Sequence, residues 1–284
     1  MKIIESPQKL QQFAQKQKKS GKTIGLVPTM GALHQGHFSL IKKSVKKCDV
    51  TIASIFVNPT QFGANEDLGK YPRTLEEDIK GLKANGADAL FLPSNENMYP
   101  EGYNTWVEVE ELTEGLCGKS RPTHFRGVTT VVSKLFNVCL CDMAFFGQKD
   151  YQQAMVIKRM TEDLNFPVKI VVCPIVREKD GLAMSSRNKY LTGELRTDAL
   201  VLSIALKEAK TLIKNGETNI ASIKAVMQKC ITTAKSAKID YIEIIHPETL
   251  QSIDTISGDC VIALAVYIGT TRLIDNEIIC NSVS

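Results

Sequence analysis

The chain has 284 residues, 43% of them apolar and 23% charged, with 35 basic against 31 acidic side chains for a formal charge of +4. That is enough length for one large or two medium hydrophobic cores, and the composition is not that of a disordered, collagen-like or disulfide-stapled chain. The small charge, with acids and bases interspersed, argues against a nucleic-acid or anionic-membrane surface and leaves small anionic substrates open.

Ser6-Pro7 pairs an N-cap with a proline at the first helical position, opening a polar helix that Gly21 can end. Residues 23–28 (TIGLVP) read as a buried strand, 37–48 as a helix and 50–56 (VTIASIF) as a second buried strand. Thr74-Leu75-Glu76-Glu77 fits a capping box for a helix ending near Asn85-Gly86, with a strand at 88–93 behind it. A helix at 128–140, a strand at 142–147, a helix at 151–164 and a strand at 168–176 continue the alternation. Parallel neighbours need crossover helices, so residues 1–176 are expected to form a Rossmann-like, doubly wound parallel-sheet α/β domain. After about Asp180 the period changes, and helices at 195–216 and 220–234 precede strands at 239–246, 260–269 and 271–280. Helices followed by strands imply a smaller α+β domain over 177–284 with a mostly antiparallel sheet.

Eight cysteines, at 48, 117, 139, 141, 173, 230, 260 and 280, form no CxxC pair, and several lie in apolar runs where a thiol acts as a small hydrophobe. A reducing cytoplasm is the expected location. The first ten residues carry no apolar core of a signal peptide, and no apolar run reaches membrane-spanning length, so neither export nor a membrane partner is expected.

Polar chemistry gathers at the strand ends, where open α/β sheets bind ligands. Met30, Gly31, Ala32 and Leu33 lead from the first buried strand into a helix whose unpaired N–H groups and partial positive charge favour phosphate. His34 and His37, half of the four histidines, lie three apart on one helical face and offer two donors to the same oxygens. The plainer alternative is two packing or surface histidines, since short patterns match by chance. No HExxH pattern or cysteine cluster points to zinc. Asn58 and Gln61 follow the second strand with amides suited to a substrate bearing hydroxyls and a carboxylate, or else form a proline turn with an Asn cap. Lys149, Asp150 and Gln153 stand at a third strand end, where the lysine is a phosphate counter-charge or an ordinary surface residue. Ser185, Ser186 and Arg187 offer two hydroxyls and a cation to phosphate, or make a polar turn between domains.

HQGH (34–37) resembles the HIGH signature of the nucleotidyltransferase superfamily, and GLAMSSRN (181–188) resembles its KMSKS loop. PTMGALHQGH, FVNPTQFG, YPR (71–73), RPTHFRGV (121–128), FGQKDYQQ, IVREKDGLAMSSRN and TTRLIDN, spread from about residue 23 to 276, together resemble the pantothenate synthetase family of pantoate–β-alanine ligases. The resemblance implies an enzyme whose ATP co-substrate activates pantoate as pantoyl adenylate, after which β-alanine takes the acyl group and AMP leaves. Carried onto this chain, it implies an ATP site of Met30, Gly31, Ala32, Leu33, His34, Gln35, Gly36, His37, Gly147, Gln148, Lys149, Asp150, Val176, Met184, Ser185, Ser186 and Arg187. His37, His34 and Lys149 would be catalytic. Gln61 would bind pantoate and border β-alanine, Gln153 would hold pantoate, and Asn58 and Tyr71 would also face substrate. Magnesium is the implied cofactor, with its carboxylate at Asp78 beside Glu77, although Glu77 already fits the capping box.

The family also implies a homodimer, and a reactive adenylate calls for closure of the 60–72 loop and of the second domain. His124 is expected to be structural and His246 a surface histidine at a strand end. Two rivals remain: another HIGH-motif adenylyltransferase acting on a phosphomonoester, and a non-catalytic RNA-binding module. Near-neutral charge, 6% aromatic content and the lack of a basic stripe disfavour the second.

Overall fold

The computed structural model describes residues 1–63 and 66–280, so two positions of the 60–72 loop lie outside the described residues. The first elements are β1 (Lys2–Ile4), α1 (Pro7–Lys19), β2 (Ile24–Thr29), α2 (Gln35–Lys47), β3 (Val50–Ile55), α3 (Leu75–Ala84), β4 (Ala89–Phe91), α4 (Asn95–Met98), α5 (Leu116–Ser120), α6 (His124–Cys139), β5 (Met143–Gly147), α7 (Tyr151–Asp163) and β6 (Lys169–Cys173). They are followed by α8 (Glu194–Asp198), α9 (Val201–Lys214), α10 (Ile220–Ile231), β7 (Ala237–Ile245), β8 (Cys260–Ile268) and β9 (Thr271–Ile279).

Strands β1 to β6 form one parallel sheet in the order β1-β4-β3-β2-β5-β6. Every residue of β3 is buried, as expected of a strand covered on both faces. Chain order runs outward from β2 in both directions, through β3 and β4 on one side and β5 and β6 on the other. The neighbours β2 and β5 therefore flank the topological switch point, where a crevice opens beyond the strand ends. Gly25 pairs with Met143 and Thr29 with Ile55; continuing that register brings Thr29, Ile55 and Gly147 to one level. Val27, Ile41, Leu82, Leu90 and Phe145 pack into a buried cluster between sheet and helices. The Ser44 and Thr51 hydroxyls, 2.8 Å apart, add a polar contact between α2 and β3 inside that packing.

The second sheet is antiparallel, in the order β7-β8-β9. Leu206, Ile223, Met227, Ile262 and Leu264 join α9, α10 and the sheet in a separate core. By contacts the chain divides into one compact unit of residues 1–148 with 152–174, and a second of 149–151 with 175–284. Lys149, Asp150 and Tyr151 thus pack with the second unit although they follow the tip of β5.

Several expectations need correction. The single helix expected over 195–216 is two, with Ala199 and Leu200 between them in right-handed helical geometry; at the junction the Asp198 carboxylate takes the Ser236 hydroxyl and N–H at 2.5 and 3.1 Å. The strand expected to reach residue 176 stops at Cys173, since Pro174 has no N–H to continue the ladder. Strand β1, three residues long, and the short α4 and α5 were not expected.

Candidate active site

The turn after β2 is built from within. The Thr29 hydroxyl donates to the Ser54 carbonyl at 2.7 Å and accepts the Gly31 N–H at 3.2 Å. Gly31 and Ala32 then take left-handed φ values of 84° and 50°, a conformation that strains a residue with a Cβ. The carboxylate of Asp78, on α3, holds them there: it accepts the Ala32 N–H at 2.9 Å, the Leu33 N–H at 2.8 Å and the Thr74 hydroxyl at 3.1 Å. Thr74 consequently does not cap α3 with its side chain, and the expected capping box with Glu77 is absent; Glu77 is exposed.

The two histidines start α2 by capping each other. His34 Nδ1 accepts the Gly36 N–H at 3.2 Å, and His37 Nδ1 accepts the His34 N–H at 3.3 Å, a reciprocal arrangement made from imidazoles. A neutral imidazole that accepts at Nδ1 carries its proton on Nε2. Both rings, with centroids 4.1 Å apart, are thereby set as Nε2–H donors. Gln35 is exposed between them, and Met30 and Gly36 are half-buried.

At the tip of β3 the amides divide their work. Asn58 is wholly buried; its Oδ1 accepts the Thr60 N–H and hydroxyl and the Tyr99 hydroxyl, and its Nδ2 donates to Gln61 Oε1 at 2.9 Å and the Gly127 carbonyl at 3.1 Å. These bonds engage the Asn58 amide in fixing the turn Pro59–Gln61. Gln61 keeps its NH2 as the polar end suited to a ligand. Behind it, His124 Nδ1 lies 2.8 Å and Arg121 Nη2 3.1 Å from the Gln61 carbonyl, while Arg121 also makes a bidentate pair with Glu66. Burial pushes the Glu66 carboxyl up, but the hydrogen bonds and charge of Arg121, helped by His124, outweigh it and hold the group below its ordinary value. Tyr71 is buried edge-on to Phe62.

At the third tip, Gln152 is buried and bonds the Leu112 and Gly115 carbonyls and the Cys117 N–H, whereas Gln153, one residue on, is half-buried. Gly147 and Gln148 lie at the same sheet edge as Thr29 by register. In the second unit, residues 176–184 form a tight hairpin: Arg177 bridges Ala183, and the Met184 N–H donates to the Val176 carbonyl at 3.0 Å. That hairpin brings Val176 next to Met184. Ser185 then caps the turn Ser186–Tyr190, accepting the Arg187 N–H at 3.2 Å. Lys149 and Asp150 form a loose ion pair at 3.7 Å. His246, at the end of β7, is exposed and caps its own turn.

Magnesium does not fit the carboxylate expected to hold it. Both oxygens of Asp78 are committed to donors of the loop and of Thr74, and Asp78 is only 2% exposed. Among the described residues, no three His, Cys, Asp or Glu side chains converge as a metal site.

A parallel sheet whose switch-point loop runs into a histidine-capped helix defines a Rossmann-like α/β protein, and its HQGH and MSSRN runs resemble the two signatures of the HIGH-motif nucleotidyltransferases. The Pantoate-beta-alanine ligase family model matches residues 2–278. The chain belongs to the pantoate–β-alanine ligase family. It is 55% identical to the pantothenate synthetase of Acetivibrio thermocellus over 279 residues, covering 98% of this chain and 99% of that one. The pantothenate synthetase of Thermus thermophilus superposes with a TM-score of 0.92 at 41% identity, covering 98% and 99% of the two chains. The pantoate-beta-alanine ligase of Francisella tularensis, complexed with beta-gamma ATP and beta-alanine, matches with a TM-score of 0.81 at 38% identity over 98% and 97%.

Proposed function

We infer that the chain is an ATP-dependent ligase that condenses pantoate with β-alanine through pantoyl adenylate, yielding pantothenate, AMP and pyrophosphate. The observation that carries this reading is the mutual capping of His34 and His37 through Nδ1 at the start of α2, on the loop beside the switch point, which leaves Nε2 of each ring to donate. A carboxylate cannot acylate an amine directly, because the leaving group would be oxide. In the first step a pantoate carboxylate oxygen bonds to the α-phosphorus as the bond to the bridging oxygen of pyrophosphate breaks. In the second, the unprotonated amine of β-alanine attacks the acyl carbon, the C–O bond to AMP breaks, and the nitrogen loses a proton.

The protein's contribution is positioning and charge stabilisation. His37 and His34 donate to phosphate oxygens from the N-terminus of α2, with Met30–Leu33, Gln35 and Gly36 as the backbone cradle. Gly147, Gln148, Lys149, Asp150, Val176 and Met184–Arg187 complete the nucleotide site, with Lys149 and the Ser185 and Ser186 hydroxyls on phosphate. Gln61 and Gln153 hold pantoate, Gln61 also borders β-alanine, and Tyr71 lines that side. No step runs through magnesium held by Asp78. A homodimer belongs to the same reading, by family resemblance. The cytoplasm does too, where the eight free thiols would stay reduced.

An assay with ATP, pantoate and β-alanine, each omitted in turn, tests the reading. Pyrophosphate should require ATP and pantoate, and AMP should accumulate only when β-alanine is also present. Adenylylation of a phosphomonoester with no need for an amine would favour another HIGH-motif enzyme instead.

A further inference from the structure

The TTRLIDN run has no role in the reading above, yet it breaks the pattern of its strand. In an antiparallel strand with one face on a core, buried and solvated residues alternate. Strand β9 alternates from Thr271 to Ile274 and then buries two polar residues in succession, Asp275 and Asn276, each 3% exposed. Consecutive residues point to opposite faces, so these two side chains serve different neighbours.

Their partners are the segments assigned to phosphate. Asn276 Nδ2 donates to the Lys149 carbonyl at 3.0 Å. The Asp275 carboxylate takes both Arg177 Nη atoms, at 2.7 and 3.0 Å, and also the Asn276 N–H at 2.8 Å. Arg177 in turn donates to the Gly181 carbonyl at 3.1 Å, inside the hairpin that leads to Met184. A guanidinium fork on a carboxylate fixes direction as well as distance.

We propose that Asp275 and Asn276 are positioning residues for adenylate formation. Asn276 sets the backbone of Lys149, and Asp275 acts through Arg177 on the hairpin carrying Met184 to Arg187. The inference rests on the ligase reading, because it takes Lys149 and Ser185 to Arg187 as phosphate contacts. One buried dipeptide thus fixes two segments that lie far apart in sequence, with β6 and most of α7 between them.

The test is a double-mutant cycle of Asn276→Ala with Lys149→Ala, read by pyrophosphate release in a single turnover. Asn276→Asp serves as the variant of equal size, because it puts an oxygen where the donor was. Displacing a reacting group by about 1 Å costs on the order of 100-fold, so either Asn276 variant should slow adenylation by roughly 10- to 100-fold. The pantoate KM, set by Gln61, should stay near the wild-type value. In the Lys149→Ala background the same change should cost about two-fold or less, since the group it positions is gone. Losses that multiply independently in the double mutant, or wild-type rates in both Asn276 variants, would overturn the proposal. Wild-type protein that releases no pyrophosphate would instead sink the ligase reading. The tether is then judged by amide exchange over residues 147–152, which Asn276→Ala should accelerate and which, if unchanged, refutes it.

Discussion

Replacing Asp78 with Asn separates an anchor of the nucleotide loop from a metal ligand. The carboxylate serves the Ala32 and Leu33 N–H groups with different oxygens and the Thr74 hydroxyl with one of them. Asparagine offers one oxygen and one NH2, so one loop N–H must face another donor in a site that is 2% exposed. Losing a hydrogen bond to a charged group and stranding its buried partner costs about 2–4 kcal/mol. Against a total stability of roughly 5–15 kcal/mol, the variant should fold. With about 2–4 °C lost per kcal/mol in a domain of this size, its Tm should fall by roughly 5–15 °C. The freed loop no longer holds Ala32 in its left-handed conformation, and the mutual caps of His34 and His37 shift with it. Adenylation should then slow by about 100-fold, the usual cost of misplacing reacting groups by an ångström. The assay pairs thermal unfolding with pyrophosphate release across a magnesium titration. If the variant melts with the wild type and excess magnesium restores its rate, Asp78 is an ion ligand and the anchor argument fails.

His37→Ala should lower the adenylation rate by roughly 100- to 1000-fold, the range for losing one preorganised donor to developing charge, and near-normal turnover would refute the assignment. Gln61→Ala should raise the KM for pantoate more than that for ATP. Gly127→Ala should do the same from a distance, because a Cβ there would lie 2.4 Å from the Thr60 carbonyl oxygen and push the Gln61 turn aside; steady-state kinetics on both substrates check the pair. For Glu66 the sign follows from its partner. The folded carboxyl titrates below its ordinary value of 4.5, so the Arg121 pair contributes stability above that pH and loses it as pH falls through the lowered folded value. Arg121→Gln removes the strongest lowering influence and leaves burial opposed only by the His124 charge and a backbone hydrogen bond at Gly63, so the Glu66 titration should move up from its wild-type position, as followed by its carboxyl carbon shift in NMR; no upward movement would contradict the account.

Much of the fold was legible because central parallel strands covered on both faces read as mostly apolar runs, as β2, β3 and β5 do, while β6, half-buried at the end of the sheet, still shows its apolar run of residues 170–173. Strand β1 escaped because three residues carry no period. The break between α8 and α9 escaped because it is slight: Ala199 and Leu200 keep right-handed helical backbone angles, and no local residue is a helix breaker. The candidate site divided along the same line. Its positions followed from strand ends and motifs, but the work of each side chain depended on partners far along the chain. Asn58 and Gln61 look alike as exposed turn amides, and contact with Gly127 and Tyr99 makes the first a scaffold. Gln152 and Gln153 look alike too, until helix α7 turns one onto the Leu112 and Gly115 carbonyls. One signal was available and unused: Asp78 lies four residues before the buried Leu82, so an acid occupies the apolar face of α3.

Asp78 and Asp275 then answer a question that an anion-binding protein raises, namely why it buries carboxylates beside segments assigned to phosphate. A bare buried charge would be costly and would repel the ligand. Neither acid is bare. Asp78 is matched by two backbone N–H groups and a hydroxyl, and Asp275 by the Arg177 fork and a backbone N–H. Burial pushes the Asp275 carboxyl up while Arg177 pulls against it, so the pair depends on keeping both members. Each acid draws donors of its own unit into a fixed backbone shape, and the side chains assigned to phosphate ride on that shape. The two units thus use the same physical device: negative charge, neutralised internally, orders the loops on which histidine, lysine and serine donors are presented.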